Sequence, residues 1–88
     1  MRRIILTDHA MAEARRRGIS EENVLHVATT PEQRLIVRAN REVRQSRVID
    51  ATSGKLHFIR VFVDLGDEND MVVTVYRTSK VRKYWRDE

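Results

Sequence analysis

The spacing of apolar residues along the chain changes once, near Pro31. Before it they recur at helical intervals. Ala10, Met11 and Ala14 form a narrow stripe of small side chains. Thr7 or Asp8 can cap this first helix by accepting from an unpaired N–H of its first turn. The helix is expected to run to about Arg17 and stop at Gly18, the residue that most easily takes the left-handed stop conformation. Ser20 then caps a second helix, with Glu21 and Glu22 set against the positive end of its dipole. Val24, Leu25, Val27 and Ala28 supply its buried face, and Pro31 ends it.

After Pro31 the pattern is that of strands. Leu35-Ile36-Val37 makes a short one, with Asn40-Arg41 as a hairpin turn. Val43 to Asp50 makes the next, followed by a turn at Ala51-Thr52-Ser53-Gly54. Leu56 to Leu65 is a long third strand, Gly66 to Asp70 an acidic loop tip, and Met71 to Thr78 the fourth strand. Short turns between consecutive strands imply an antiparallel meander. The fold class predicted for residues 1–88 is therefore a single α+β domain. Two N-terminal helices pack on one face of a four-stranded antiparallel sheet, to which Ile4 to Leu6 can add a short edge strand.

A period of two sorts the strand side chains. Ile59, Val61 and Val63 share one face of the third strand, and Phe58, Arg60 and Phe62 the other. On the fourth strand Met71, Val73 and Val75 oppose Val72, Thr74, Tyr76 and Thr78. The purely aliphatic sets are expected under the helices. The remaining face mixes Arg60, Thr74, Tyr76 and Thr78 with Phe58 and Phe62. Such a mixture suits phosphate gripping and base stacking, and it equally suits a half-wet sheet face built of good strand formers.

Charge adds to this picture. The chain holds 17 Lys and Arg against 13 Asp and Glu, and 14 of the basic residues are Arg. Ten basic and six acidic residues precede Val48, whereas seven of each follow it. A field of that sign attracts polyanions such as RNA or DNA, and it also serves to keep a strand face soluble. With no Cys, thiolate nucleophiles, thiolate metal sites and disulfides are excluded. His9, His26 and His57 lack paired spacing, so neither a metal nor another cofactor is expected. His26 is expected at the surface and His57 at the core's rim. No apolar run approaches the roughly 20 residues of a membrane span, and the expectation is a cytoplasmic domain.

Four stretches resemble a known family. His9-Ala10, then Arg17-Gly18-Ile19-Ser20 and Val24, is similar to the opening of small domains grouped with the RelE/ParE-like toxin superfamily. Val72-Val73-Thr74-Val75-Tyr76-Arg77-Thr78-Ser79-Lys80 with Lys83-Tyr84-Trp85 resembles their close, and Arg44-Gln45-Ser46-Arg47 and Ile59-Arg60-Val61 their internal strands. The resemblance implies a RelE-like fold and one of two activities: metal-independent RNA cleavage of the mRNA-interferase type, or ParE-like inhibition of DNA gyrase. A toxin of this kind acts on RNA, in some cases on the ribosome, and has a neutralising antitoxin protein as partner. A non-enzymatic module binding nucleic acid or protein is the remaining alternative.

Metal-free RNA cleavage needs a base for the 2′-hydroxyl proton, cations for the phosphate and an acid for the leaving oxygen. His9, in the first turn of the first helix, is the candidate for proton transfer; alternatively it pins the helix to the sheet. Arg60 and Arg47 are candidate phosphate ligands, with cross-strand pairing to Asp50 or Asp64 as the competing role. Tyr76 can stack a base, donate its proton or close the core. Thr78, Ser79 and Lys80 can bind phosphate or cap a final turn. Lys83, Tyr84 and Trp85 form a basic-aromatic tail that suits a nucleic acid or a partner protein, or Trp85 seals one end of the core. Gln45 and Thr74 complete the expected substrate-binding set.

Overall fold

The structure is a computed structural model and describes residues 2–87. Strand β1 (Arg3–Leu6) is followed by helices α1 (Asp8–Arg16) and α2 (Glu21–Thr29). Four further strands come next: β2 (Gln33–Arg38), β3 (Arg41–Ile49), β4 (Leu56–Leu65) and β5 (Asn69–Thr78). A single turn of helix, α3 (Val81–Tyr84), closes the described chain. The α+β class is as expected. The sheet, however, has five strands in the order β1-β5-β4-β3-β2, not four. The fifth is β1, which pairs in parallel with β5 from Arg3 opposite Asn69 to Leu6 opposite Val72. All other pairings are antiparallel. No helix among the described residues is long and apolar enough to cross a membrane.

The helix boundaries follow from their caps. Thr7 Oγ1 accepts from the Ala10 N–H at 3.1 Å and donates to the Val72 carbonyl at 2.8 Å, so one hydroxyl starts α1 and ties it to β5. Gly18 takes a φ of 69° where the chain leaves α1. Ser20 Oγ accepts from the Asn23 N–H at 3.1 Å and starts α2. Both helices lie on one sheet face. Ala10, Ala14, Ile19, Val24, Val27 and Ala28 pack there against Ile59, Val61, Val63, Val72 and Val75.

Val72 in that set corrects the expected alternation of β5. Phe62 pairs with Thr74, but Val63 pairs with Val72, so Val73 is an extra residue in a β-bulge. The bulge resets the period of two: Val72 and Val75 face the helices, while Val73 and Met71 leave the core.

The helix face also buries charge. Arg44 is 3% exposed. Its guanidinium donates to Glu42 Oε1 at 2.6 Å, to the Ala28 carbonyl at 2.6 Å and to Asp70 Oδ2 at 2.9 Å. Arg2 adds a second cation to Asp70 at 2.7 Å, and Arg34 a second to Glu42 at 2.9 Å. Burial alone would raise both carboxyl pKa values, but these hydrogen bonds and charges outweigh it and hold both below the ordinary range.

Candidate functional site

The opposite sheet face carries the side chains that the helices leave uncovered. Register places Gln33, Gln45, Arg60 and Tyr76 in one row across β2, β3, β4 and β5. Because neighbours in such a row lie side by side, four residues distant in sequence join in one hydrogen-bonded line. The Gln45 side-chain amide donates to Gln33 Oε1 at 2.9 Å and to the Tyr84 carbonyl at 3.0 Å. Its oxygen accepts from Arg60 Nε at 2.9 Å, and Arg60 Nη1 donates to the Tyr76 hydroxyl. The C-terminal segment lies along this row, with the backbone of Arg86 hydrogen-bonded to the side chain of Gln33.

Arg60 is the centre of the cluster. Its guanidinium carbon lies 4.3 Å from the Tyr84 ring centroid, 5.5 Å from that of Tyr76 and 5.6 Å from that of Phe62. These distances are in the range of cation–π attraction. Among the described residues Arg60 has no carboxylate partner. It is therefore an oriented, partly buried cation whose charge is not cancelled.

The two tyrosines beside it are shifted in opposite directions. Burial raises the Tyr76 hydroxyl above the ordinary tyrosine value, against the opposing pull of Arg60. Tyr84 is lowered, first by hydrogen bonding with Tyr76 and then by the charges of Lys83 and Arg60. Such a divergence separates a group that keeps its proton from one that gives it up more readily.

Several expected site residues take other places. His9 is exposed on α1, in the helix layer, so the sheet separates it from Arg60. The expectation that His9 transfers protons at the site where Arg60 grips phosphate is corrected: α1 turns Ala10 and Ala14 to the core, and His9 goes out with the remainder of its turn. Gln45 is 0% exposed and orients Arg60, which leaves it no access to a substrate. Arg47 stays on the face but is held by Glu32, rather than by Asp50 or Asp64, with bonds of 3.1 and 3.0 Å. The Trp85 ring lies 3.9 Å from its guanidinium carbon.

Phe58 is not free to stack a base, because Trp85 covers it at a centroid distance of 5.9 Å and leaves it 0% exposed. Thr74 and Thr78 lie on this face, paired in register with Phe62 and Phe58 of β4. Thr78 Oγ1 is engaged by the Lys80 N–H at 3.1 Å, a local turn. Ser79, Lys80 and Lys83 are exposed at the C-terminal end. His26 is exposed and His57 half-buried.

Sequence reasoning missed Tyr84 and Gln33 as members of the cluster. The Lys83-Tyr84-Trp85 run signalled an aromatic tail, yet only the path of α3 carries Tyr84 back over Arg60.

Fold and site together define an α+β domain that displays an arginine–tyrosine cluster on the open face of its sheet. The model of the family described as Domain of unknown function (DUF4258) matches residues 6–77, and the chain belongs to that family. The match ends before α3. No curated protein and no solved structure matches the chain significantly.

Proposed function

We propose that this is a toxin-like RNA-binding domain of RelE type, with metal-independent endoribonuclease activity centred on Arg60. The observation that carries the reading is the state of Arg60: fixed by Gln45 and Tyr76, stacked on Tyr84, and without a carboxylate among the described residues. A guanidinium held in this way matches the charge that develops on a phosphate in transesterification.

The oppositely shifted tyrosines supply the proton transfers. Tyr84, as phenolate, accepts the 2′-hydroxyl proton while the 2′-oxygen bonds to phosphorus. The P–O5′ bond breaks, and Tyr76 gives its proton to the departing 5′-oxygen. The products are a 2′,3′-cyclic phosphate and a 5′-hydroxyl end. His9 has no part in this scheme, since it lies on the other side of the sheet. A neutralising partner protein would act by covering the Arg60 face.

The test incubates the full chain with total RNA in EDTA, with and without ribosomes, beside Arg60→Ala, Tyr84→Phe and His9→Ala. Fragments ending in 2′,3′-cyclic phosphate are expected from the parent and from His9→Ala, and not from the other two. The rate should rise with pH towards the lowered Tyr84 value, and this rise should vanish in Tyr84→Phe. Intact RNA with salt-sensitive binding that Arg60→Ala abolishes would refute cleavage and leave a binding module. No RNA binding at all would overturn the whole reading.

A further inference from the structure

The helix side of the sheet holds a cleft that the Arg60 cluster does not use. It has a volume of about 240 Å³ and opens between the α1–α2 turn and the far ends of β3, β4 and β5. The turn is the Gly18-Ile19-Ser20 stretch that distinguishes the start of the chain, and the RNA reading gives it no role.

Three polar features converge on this cleft. Arg77 extends from the end of β5 towards the turn, with Nη2 3.8 Å from where a Cβ on Gly18 would stand. It has no hydrogen bond or carboxylate partner among the described residues, unlike Arg34, Arg41, Arg44 and Arg47. His57 Nδ1 is buried and makes no hydrogen bond, although a buried ring nitrogen ordinarily has a partner. Asn23, on the first turn of α2, lines the wall with a side-chain amide that bonds nothing in the described chain.

The rest of the lining is aliphatic. Ile19 and Ile59 form its floor, and Val48, half-buried beside His57 in register, completes its apolar wall. One acidic group is present, Asp50, whose carboxylate already accepts from the Thr52 N–H at 2.9 Å.

We propose that this cleft is a second ligand site, which takes a small anion with a flat apolar body, the chemistry of a nucleoside monophosphate. The anion pairs with Arg77. The ring lies on Val48 and Ile59, and polar atoms on its edge meet His57 Nδ1 and the Asn23 amide. The volume exceeds what a bare oxyanion fills, and an apolar wall beside a lone guanidinium favours a ligand that has both parts. Arg77 pairs with Ile59 and so faces away from Arg60, which makes the two sites independent.

The experiment is an amide NMR titration of the full chain with AMP, and in parallel with adenosine and with inorganic phosphate. Saturable shifts are expected at Gly18, Ser20, Asn23, His57 and Arg77 with AMP, and adenosine and phosphate should each bind more weakly. Arg77→Gln, an exposed position with no native partner to orphan, should weaken AMP about tenfold, the worth of one charge-assisted hydrogen bond. Arg60→Gln should leave AMP binding unchanged. Absence of saturable shifts, AMP binding unaltered in Arg77→Gln, or shifts confined to the residues around Arg60 would each overturn the proposal. None of these results bears on RNA cleavage, which is read separately.

Discussion

Arg44 and Arg47 stand three residues apart on β3 and both pair with glutamate, yet replacing them should have very different consequences. Arg44→Met keeps an unbranched stem of similar length, so little cavity opens. What it removes is a cation 3% exposed, bonded to Glu42, Asp70 and the Ala28 carbonyl. Charge-assisted hydrogen bonds are worth about 1.5–3 kcal/mol each, so three would suggest a loss near 6 kcal/mol. That sum is too large, because Asp70 keeps Arg2 and Glu42 keeps Arg34. The Ala28 carbonyl alone is orphaned. The expected loss is therefore about 3–4 kcal/mol, in the range for removing one member of a buried ion pair. An 88-residue domain has a total stability of about 4–13 kcal/mol, so Arg44→Met should bring the protein close to its unfolding threshold. In Arg47→Met both partners are well exposed, at 43% and 38% of their side-chain surface, and water replaces the lost contact. Urea unfolding followed by circular dichroism measures both, and Arg44→Met should shift the midpoint several times further. A loss under about 1 kcal/mol for Arg44→Met, or midpoints that coincide, would refute the view that Arg44 anchors the helix layer.

Other consequences follow from the same packing. Asp70 and Glu42 have pKa values lowered by folding, so the stability they carry is fully present above the ordinary carboxylate range of about pH 4 and is lost as pH falls through their lowered values. Urea midpoints measured from pH 6 to pH 2 should show this decline, and Asp70→Asn should flatten it; parallel curves would contradict the assignment. Trp85→Ala uncovers Phe58 and should cost about 2 kcal/mol in unfolding followed by circular dichroism, with a loss below about 0.5 kcal/mol showing that the tail does not seal that end. Ile36→Lys changes a side chain 85% exposed on the edge strand, so stability should stay within about 0.5 kcal/mol of the parent while light scattering at high concentration falls.

The first two helices, their caps and the four strands of the meander were legible because each depends on neighbours within a few residues. Ser20, Gly18, Pro31 and the Leu56–Leu65 run act locally, and all sit where their local chemistry puts them. What escaped depends on distant parts of the chain. The edge strand expected at Ile4 to Leu6 is present, but its parallel pairing with β5, more than 60 residues on, has no local signal. The bulge at Val73 has no local marker, since any of three consecutive Val or Met residues satisfies an apolar face; packing under α1 and α2 selects Val72. The site was half legible for the same reason. Alternation placed Arg60, Tyr76, Thr74 and Thr78 on one face, but not the register that joins Gln33 and Gln45 to Arg60, nor the return of Tyr84. His9 was misplaced because a residue at a helix start can face either layer until the helix's own core side is known.

The arginines carry the last step. As a sequence, the stretch from Arg34 to Arg60 is a strongly basic field, and a steep salt dependence of RNA binding would follow from it. In the fold, Arg34, Arg41, Arg44 and Arg47 each hold a carboxylate, and Arg44 is also buried on the wrong side of the sheet. On the open face Arg60 has no carboxylate partner among the described residues, nor have the exposed Arg38, opposite Arg41, and the exposed Lys80, Arg82, Lys83 and Arg86 of the C-terminal segment. If all of them meet RNA, about six phosphates are neutralised, and for a single strand the slope of log K against log salt should be about −4. Fluorescence anisotropy with a labelled single-stranded RNA over a range of salt concentrations measures it. Arg60→Gln should reduce the slope by about 0.7, whereas Arg47→Gln should leave it nearly unchanged, because Glu32 already cancels that charge. A parent slope of about −6 or steeper, or a reduction in Arg47→Gln equal to that in Arg60→Gln, would mean that the ion pairs open to meet RNA and that the composition, not the fold, describes the binding surface.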